Sequence, residues 1–192
     1  ARPFEGRLQA LRVRGRAGED TAPLATGATR EVDWVDIGEP VLEEDALRHR
    51  ARSRGAAAFR RGEGIAFADG AVHFTATTGG PIGAGQIWRL ADDGDGGTLE
   101  LIAASTDRGA LDMPDNVTVA PDGTLFFVED GQGHDFLRGV DREGRVFDVA
   151  RNAASEGELT GVCFSPGGDT LFVNLQEEGL TVAIRGPFER LA

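Results

Sequence analysis

The chain has 192 residues, 40% of them hydrophobic and 27% charged, which is enough for one ordinary buried core. A formal net charge of −12 excludes the clustered positive surface that a nucleic-acid partner needs, and it leaves cation binding open. No apolar run reaches the roughly 18 residues of a membrane span, and a single cysteine, Cys163, excludes an intrachain disulfide.

Taken in chain order, residues 6–15 and 30–38 alternate as strands, with Val32, Trp34 and Ile37 directed at a core. The Gly/Ala/Thr-rich stretch between them reads as an exposed loop. Residues 41–59 form the one helical stretch, with Glu43, Glu44 and Asp45 favouring its N-terminal dipole. Its apolar face, Leu42, Leu47 and Ala51, is thin, which predicts a surface excursion.

From Arg60 onward the pattern is almost wholly β. GIAFADGAVHFT (64–75), NVTVAPDGTLFFVE (116–129) and GVCFSPGGDTLFVN (161–174) each read as strand, tight Gly turn, strand. Their turn glycines, Gly70, Gly123 and Gly168, lie 53 and 45 residues apart. Hairpins repeating at about 40–50 residues point to β-propeller blades. The expected fold is therefore all-β: about three four-stranded blades of an incomplete propeller, with one short helix inserted near 41–59. The expected divisions are rim strands of a preceding blade over 1–40, the helical insertion, blades over 60–110 and 111–155, and an incomplete blade over 156–192. A propeller closes with roughly four to eight blades. Met113 is the only methionine and no leader pattern is present, so the chain reads as part of a longer polypeptide whose missing blades lie upstream.

Glu63, Asp115, Asn116 and Glu158 stand just before the first strands of successive blades, and Glu129 and Asp130 close the second strand of the middle one. Entry positions of innermost strands converge on one end of a propeller axis. Several carboxylates meeting there would repel one another unless a cation lies between them. An oxygen-only ligand set suits Ca²⁺ first, with Mn²⁺ or Fe³⁺ as alternatives. The competing reading of each residue is a turn cap or a solvated loop acid; repetition favours the convergent one. His73 and His134 lack partners at metal-ligand spacing, His49 lies in an Arg-rich helix and reads as solvated, and the Asp92–Asp95 run reads as a hairpin tip. Cys163, Trp88 and Phe164 read as core.

The ordered set RRGEGIAF, HFTATTGG, GQIW, LDMPDNVTVAPDG, VEDG, GELTGVCFSP, LFVNLQ and TVAIRGPF resembles the PhoX-type alkaline phosphatases over roughly residues 30–190, the C-terminal part of that family. The resemblance implies a propeller phosphomonoesterase acting on small phosphorylated substrates. It also implies export through the twin-arginine route to the periplasm or beyond, and a Ca²⁺/Fe³⁺ centre at one end of the axis. It makes Glu63, Glu129 and Glu158 metal ligands, places Asp115 and Asn116 at or near the same site, and leaves Arg60 or Arg61 to clamp phosphate. An upstream family motif carrying a cysteine and a glutamate ligand to iron has no match here, so the chain reads as half of a metal site. The alternatives are a calcium-dependent lactonase or esterase on a similar propeller, and a non-catalytic binding scaffold.

Overall fold

The computed structural model describes residues 6–39, 46–153 and 155–188. The described residues form thirteen strands and one helix, with the strands in three antiparallel sheets. The first sheet comprises β1 (Gln9–Val13), β2 (Thr29–Asp36), β3 (Gly62–Ala68), β4 (Ala71–Ala76), β5 (Gln86–Asp92) and β6 (Gly96–Ala104), in the spatial order β1-β2-β6-β5-β4-β3. The second runs β10-β9-β8-β7, from β7 (Pro114–Val119), β8 (Leu125–Glu129), β9 (Phe136–Val140) and β10 (Val146–Arg151). The third is β11 (Leu159–Phe164), β12 (Thr170–Leu175) and β13 (Leu180–Arg185).

Each sheet begins with an up-and-down meander from its inner strand outward, as a propeller blade does. The inner strands β3, β7 and β11 lie side by side. The sheets then pack face to face through separate apolar layers. Ile87, Leu111, Val117, Leu125 and Phe127 fill the space between the first and second. Phe126, Val128, Leu137, Val162, Leu171 and Phe188 fill that between the second and third. A third layer, around Trp88, Leu99, Leu101 and Val32, lies under the N-terminal segment, where Phe59 meets Trp88 edge to face at 5.5 Å.

The N-terminal strands correct one expectation. They are not the rim of a separate blade: β2 pairs with β6 from Thr29↔Glu100 to Asp33↔Gly96, and β1 pairs with β2. The first blade is thus six strands wide, and β2 covers the edge that β6 would otherwise leave open. The helix α1 (Leu47–Ser53) is shorter than expected and buries none of its residues, as its thin apolar face implied. Leu42, Glu43, Glu44 and Asp45 lie outside the described residues. Among those described, no helix is long and apolar enough to cross a membrane.

Cys163 is also corrected: it is exposed, not core. The pairing of β11 with β12 slips between Thr160 and Cys163, and such a bulge resets which face a side chain takes. Equivalent slips occur between Gly62 and Ile65 on β3 and between Pro114 and Val117 on β7. All three inner strands therefore bulge near one end.

β3 and β7 approach closely because Gly64 has no side chain. A Cβ there would come within 2.4 Å of the Asp115 carbonyl oxygen and 2.7 Å of Asn116 Cα. Backbone on both sides cannot yield cheaply. Gly64→Ala is expected to cost about 3 kcal/mol or more, read as a lower urea midpoint at unchanged slope. A loss below about 0.5 kcal/mol, the range of ordinary surface changes, would show that the two strands can separate freely.

Candidate functional site

The three bulges set the local geometry. On β3 the bulge spans Glu63; on β7 it spans Asp115 and Asn116. The corresponding residues on β11 are Gly161 and Val162, so Glu158 is not the positional equivalent of the other two. It enters from the segment ahead of β11. The four residues nonetheless gather at one end of the inner strands.

Asp115 is the most buried of them, at 7% exposure. Its backbone is anchored to the first blade: Thr75 Oγ1 donates to the Asp115 carbonyl at 2.7 Å, and Thr77 Oγ1 to that of Pro114 at 2.9 Å. Both threonines are fully buried. The Asp115 carboxyl interacts with that of Glu158, to which Gln176 Nε2 donates at 2.8 Å. Two carboxyls this close disfavour ionising together. Burial pushes both upward in pKa; Glu158, with the Asp115 bond and the Asp130 and Asp115 charges adding to burial, reaches about 7.

Arg61 closes the cluster from the first blade. Its guanidinium pairs with Glu63 at 3.2 Å and also with Asp130, at the end of β8. Arg61 adopts φ 55° and Met113, just before β7, φ 47°. Left-handed backbone in non-glycine residues costs energy and concentrates where function requires a fixed side-chain direction. Asn116 acts as a tie between blades: its Oδ1 accepts from Thr160 Oγ1 at 2.9 Å and from the Gly161 N–H, and its Nδ2 donates to Asp115 Oδ1 at 3.3 Å.

The sequence of the chain matches the model of the family described as alkaline phosphatase PhoX over residues 4–179. The chain belongs to the PhoX alkaline phosphatase family. No curated protein matches it. Among solved structures it is similar to Pseudomonas fluorescens PhoX in complex with vanadate, a transition state analogue, with a TM-score of 0.67 at 20% identity, over 88% of this chain and 39% of that one. The chain therefore spans about two-fifths of that relative's length. Weaker likenesses are to a virginiamycin B lyase from Staphylococcus aureus (TM-score 0.46, 15% identity, 66% of this chain and 41% of that one) and to a putative gluconolactonase (0.49, 16%, 93% and 64%). The PhoX neighbour agrees with the propeller-blade reading of the fold.

Two residues that the PhoX resemblance implied lie apart from the cluster. Arg60 pairs with Asp20 of the N-terminal segment. Glu129, 2% exposed, turns into the second blade, where Oε1 accepts from Arg138 Nε at 2.7 Å and from the Asp112 N–H at 2.8 Å. Burial pushes Glu129 up to about 7, against the opposing pull of those two donors. Arg138 also reaches Asp148 and the Gly109 carbonyl, and it stacks 4.2 Å over the Phe136 ring. Its position inside the apolar run FLRGV was the available signal, because a buried arginine needs a buried acceptor.

Asp130 was noted beside Glu129 but given no role from the sequence, and Gln176 and Asp135 were not singled out. Asp135 accepts from the Gly131 N–H at 2.9 Å and is pushed up to about 6 by burial, with the Asp130 and Asp112 charges adding to it. Among the described residues, no three carboxylate, imidazole or thiolate side chains stand placed to hold one metal ion. The Asp115–Glu158 pair fits a cation in its chemistry: two adjacent carboxyls whose pKa values are raised would gain from a divalent ion between them. It supplies part of a coordination sphere, not all of one.

Proposed function

We propose that this chain carries the carboxylate side of a cation-dependent phosphomonoesterase centre. Membership of the PhoX family supports the reaction class, and one observation supports its location: the adjacent Asp115 and Glu158 carboxyls, flanked by Glu63, Asp130 and Arg61. The donor set is carboxylate oxygen throughout, so Ca²⁺ is the ion we assign to it, ahead of Fe³⁺. Asp115 and Glu158 would hold it, with Glu63 and Asp130 next to them. A bound Ca²⁺ would neutralise charge developing on a phosphoryl oxygen.

The chain's own residues do the rest. Thr75 and Thr77 fix the direction of Asp115 through the backbone it hangs from. Gln176 orients Glu158. Arg61, held by two carboxylates, is the cation poised to exchange one of them for a phosphate oxygen, and it takes the clamp role in preference to Arg60. The substrates on this reading are small phosphate monoesters. The rest of the centre comes from further blades of the same polypeptide, exported to the periplasm or outside the cell.

The test is linkage between cation and phosphate. Calorimetric Ca²⁺ titration is run with and without phenylphosphonate, a non-hydrolysable monoester mimic, on the wild type and on Glu158→Gln. Phosphonate is expected to tighten Ca²⁺, and Ca²⁺ to tighten phosphonate by the same factor. Cation binding with no coupling to phosphonate would favour a lactonase or esterase type of site. No Ca²⁺ binding at all would favour a scaffold.

A further inference from the structure

At the opposite end of the blades lies a cavity of about 480 Å³ between the first and second sheets. The contact between these sheets is apolar near the carboxylate cluster, through Ile87, Val117 and Phe127. It changes character towards the turns. His73 on β4 stands directly opposite Arg89 on β5, which stands directly opposite Glu100 on β6. Residues in register on adjacent strands share a face, so a polar row crosses the sheet where an interblade core would continue. All three line the cavity, and Val119, Leu125 and Val140 of the second blade form an apolar wall facing them.

Two features of this row have no structural account. His73 is 7% exposed, and its Nδ1 has no hydrogen-bond partner among the described residues. A buried ring nitrogen without a partner is uncommon. Burial, with the Arg89 charge, lowers the His73 pKa, which keeps the ring neutral and able to donate from one nitrogen and accept at the other. Second, the cavity is lined by guanidiniums from both blades. Among the described residues Arg89 pairs with Glu100 at a loose 3.9 Å, and Arg142 donates to the Asp122 carbonyl. The acids at the mouth are largely committed: Asp141 and Glu143 both bind Arg145, leaving Asp69 beside the turn of Gly123.

We propose that this interblade cavity is a second binding site, for a small organic oxyanion carried on an apolar body. The head group lies between Arg89 and Arg142, His73 completes its hydrogen bonding, and the body rests on the Val119–Leu125–Val140 wall. The volume falls within the range of small-molecule sites, and few convergent polar groups on an apolar lining is their usual composition. The site is built from side chains that the carboxylate cluster does not use, so it does not depend on the phosphatase reading.

The experiment is a titration of the full chain with benzoate and, separately, with phenylphosphonate, following the His73 ring nitrogens by NMR. A saturable shift of those resonances is expected in at least one arm, and the arm tells a carboxylate from a phosphate-type head. Arg142→Ala, at an exposed position, is expected to weaken binding by about tenfold while the melting temperature stays unchanged, as loss of a charge-assisted bond does. Arg89→Ala should do the same. Glu158→Gln, at the other end, should leave the affinity as it was. The proposal fails if no saturable shift appears at His73 across the millimolar range, or if Arg142→Ala binds as tightly as the wild type.

Discussion

Glu129→Ala is expected to lower the stability of this chain by about 3–5 kcal/mol, the range seen when one partner of a buried ion pair is removed. At this chain length that corresponds to a fall in melting temperature on the order of 10 °C. The reason lies with Arg138. A guanidinium cannot be neutralised by giving up its proton, and its side chain is only 4% exposed. Without Glu129, its remaining carboxylate is Asp148, which is largely in solvent. Glu129→Gln should behave differently. The amide oxygen can accept from both Arg138 and the Asp112 N–H, so the expected cost is only about 1 kcal/mol.

The two variants also separate by pH. Because the Glu129 pKa is raised from 4.5 to about 7 on folding, the folded chain binds the proton more tightly than the unfolded chain does. Stability from this group is therefore fully present below pH 4.5 and is lost as pH rises through about 7, a decline on the order of 3 kcal/mol. Glu129→Gln should remove that part of the decline; the part due to Glu158 remains. Melting curves between pH 4 and 8 with and without Ca²⁺ check all of this. A loss below about 1 kcal/mol for Glu129→Ala would sink the ion-pair account. A Glu129→Gln variant that loses only its response to Ca²⁺ would restore Glu129 as a metal ligand.

Glu129 also shows where the sequence runs out. Its place at the end of LFFV marks it as unusual, but neighbouring residues on a strand point to opposite faces, so Glu129 and Asp130 cannot both serve the axis. Which of them does depends on the pairing of β8, and the pairing delivers Asp130 to Arg61 and Glu129 to Arg138. The hairpins were legible because their signals are local. Alternating strands and a turn glycine sit within a few residues of each other, and Gly70, Gly123 and Gly168 do take φ of 73°, 90° and 74°. The N-terminal strands were legible as strands but not as partners of β6. Alternation gives a strand's faces, whereas its neighbour across some 70 residues of chain is chosen by the edge that remains open. Bulges were invisible for a related reason. The apolar run around Cys163 reads as continuous, and only the slip against β12 turns the thiol outward. Asp115, Glu158 and Glu63 could be grouped from the sequence because they stand at strand entries, although the bulges show that Glu158 arrives by a different route.

The second large effect belongs to the Asp115–Glu158 pair. Ca²⁺ at about 100 times its dissociation constant should stabilise the chain by roughly 2.7 kcal/mol at pH 8. The increment should shrink as pH falls below about 7, because the proton raised onto Glu158 competes with the ion for the same oxygens. Binding at pH 7 should accordingly release protons, seen as a calorimetric heat that scales with the ionisation enthalpy of the buffer. Glu158→Gln and Asp115→Asn replace one of the two carboxyls with a neutral amide. Both variants should fold at least as well as the wild type without Ca²⁺, since they remove a like-charge conflict at the buried Asp115, and both should lose the Ca²⁺ increment. That combination, unchanged or higher stability with loss of the ion response, is what a ligand pair produces and what a structural acid does not. If Glu158→Gln keeps the full increment, or if the wild-type increment is the same at pH 5.5 and pH 8, the pair does not hold the cation.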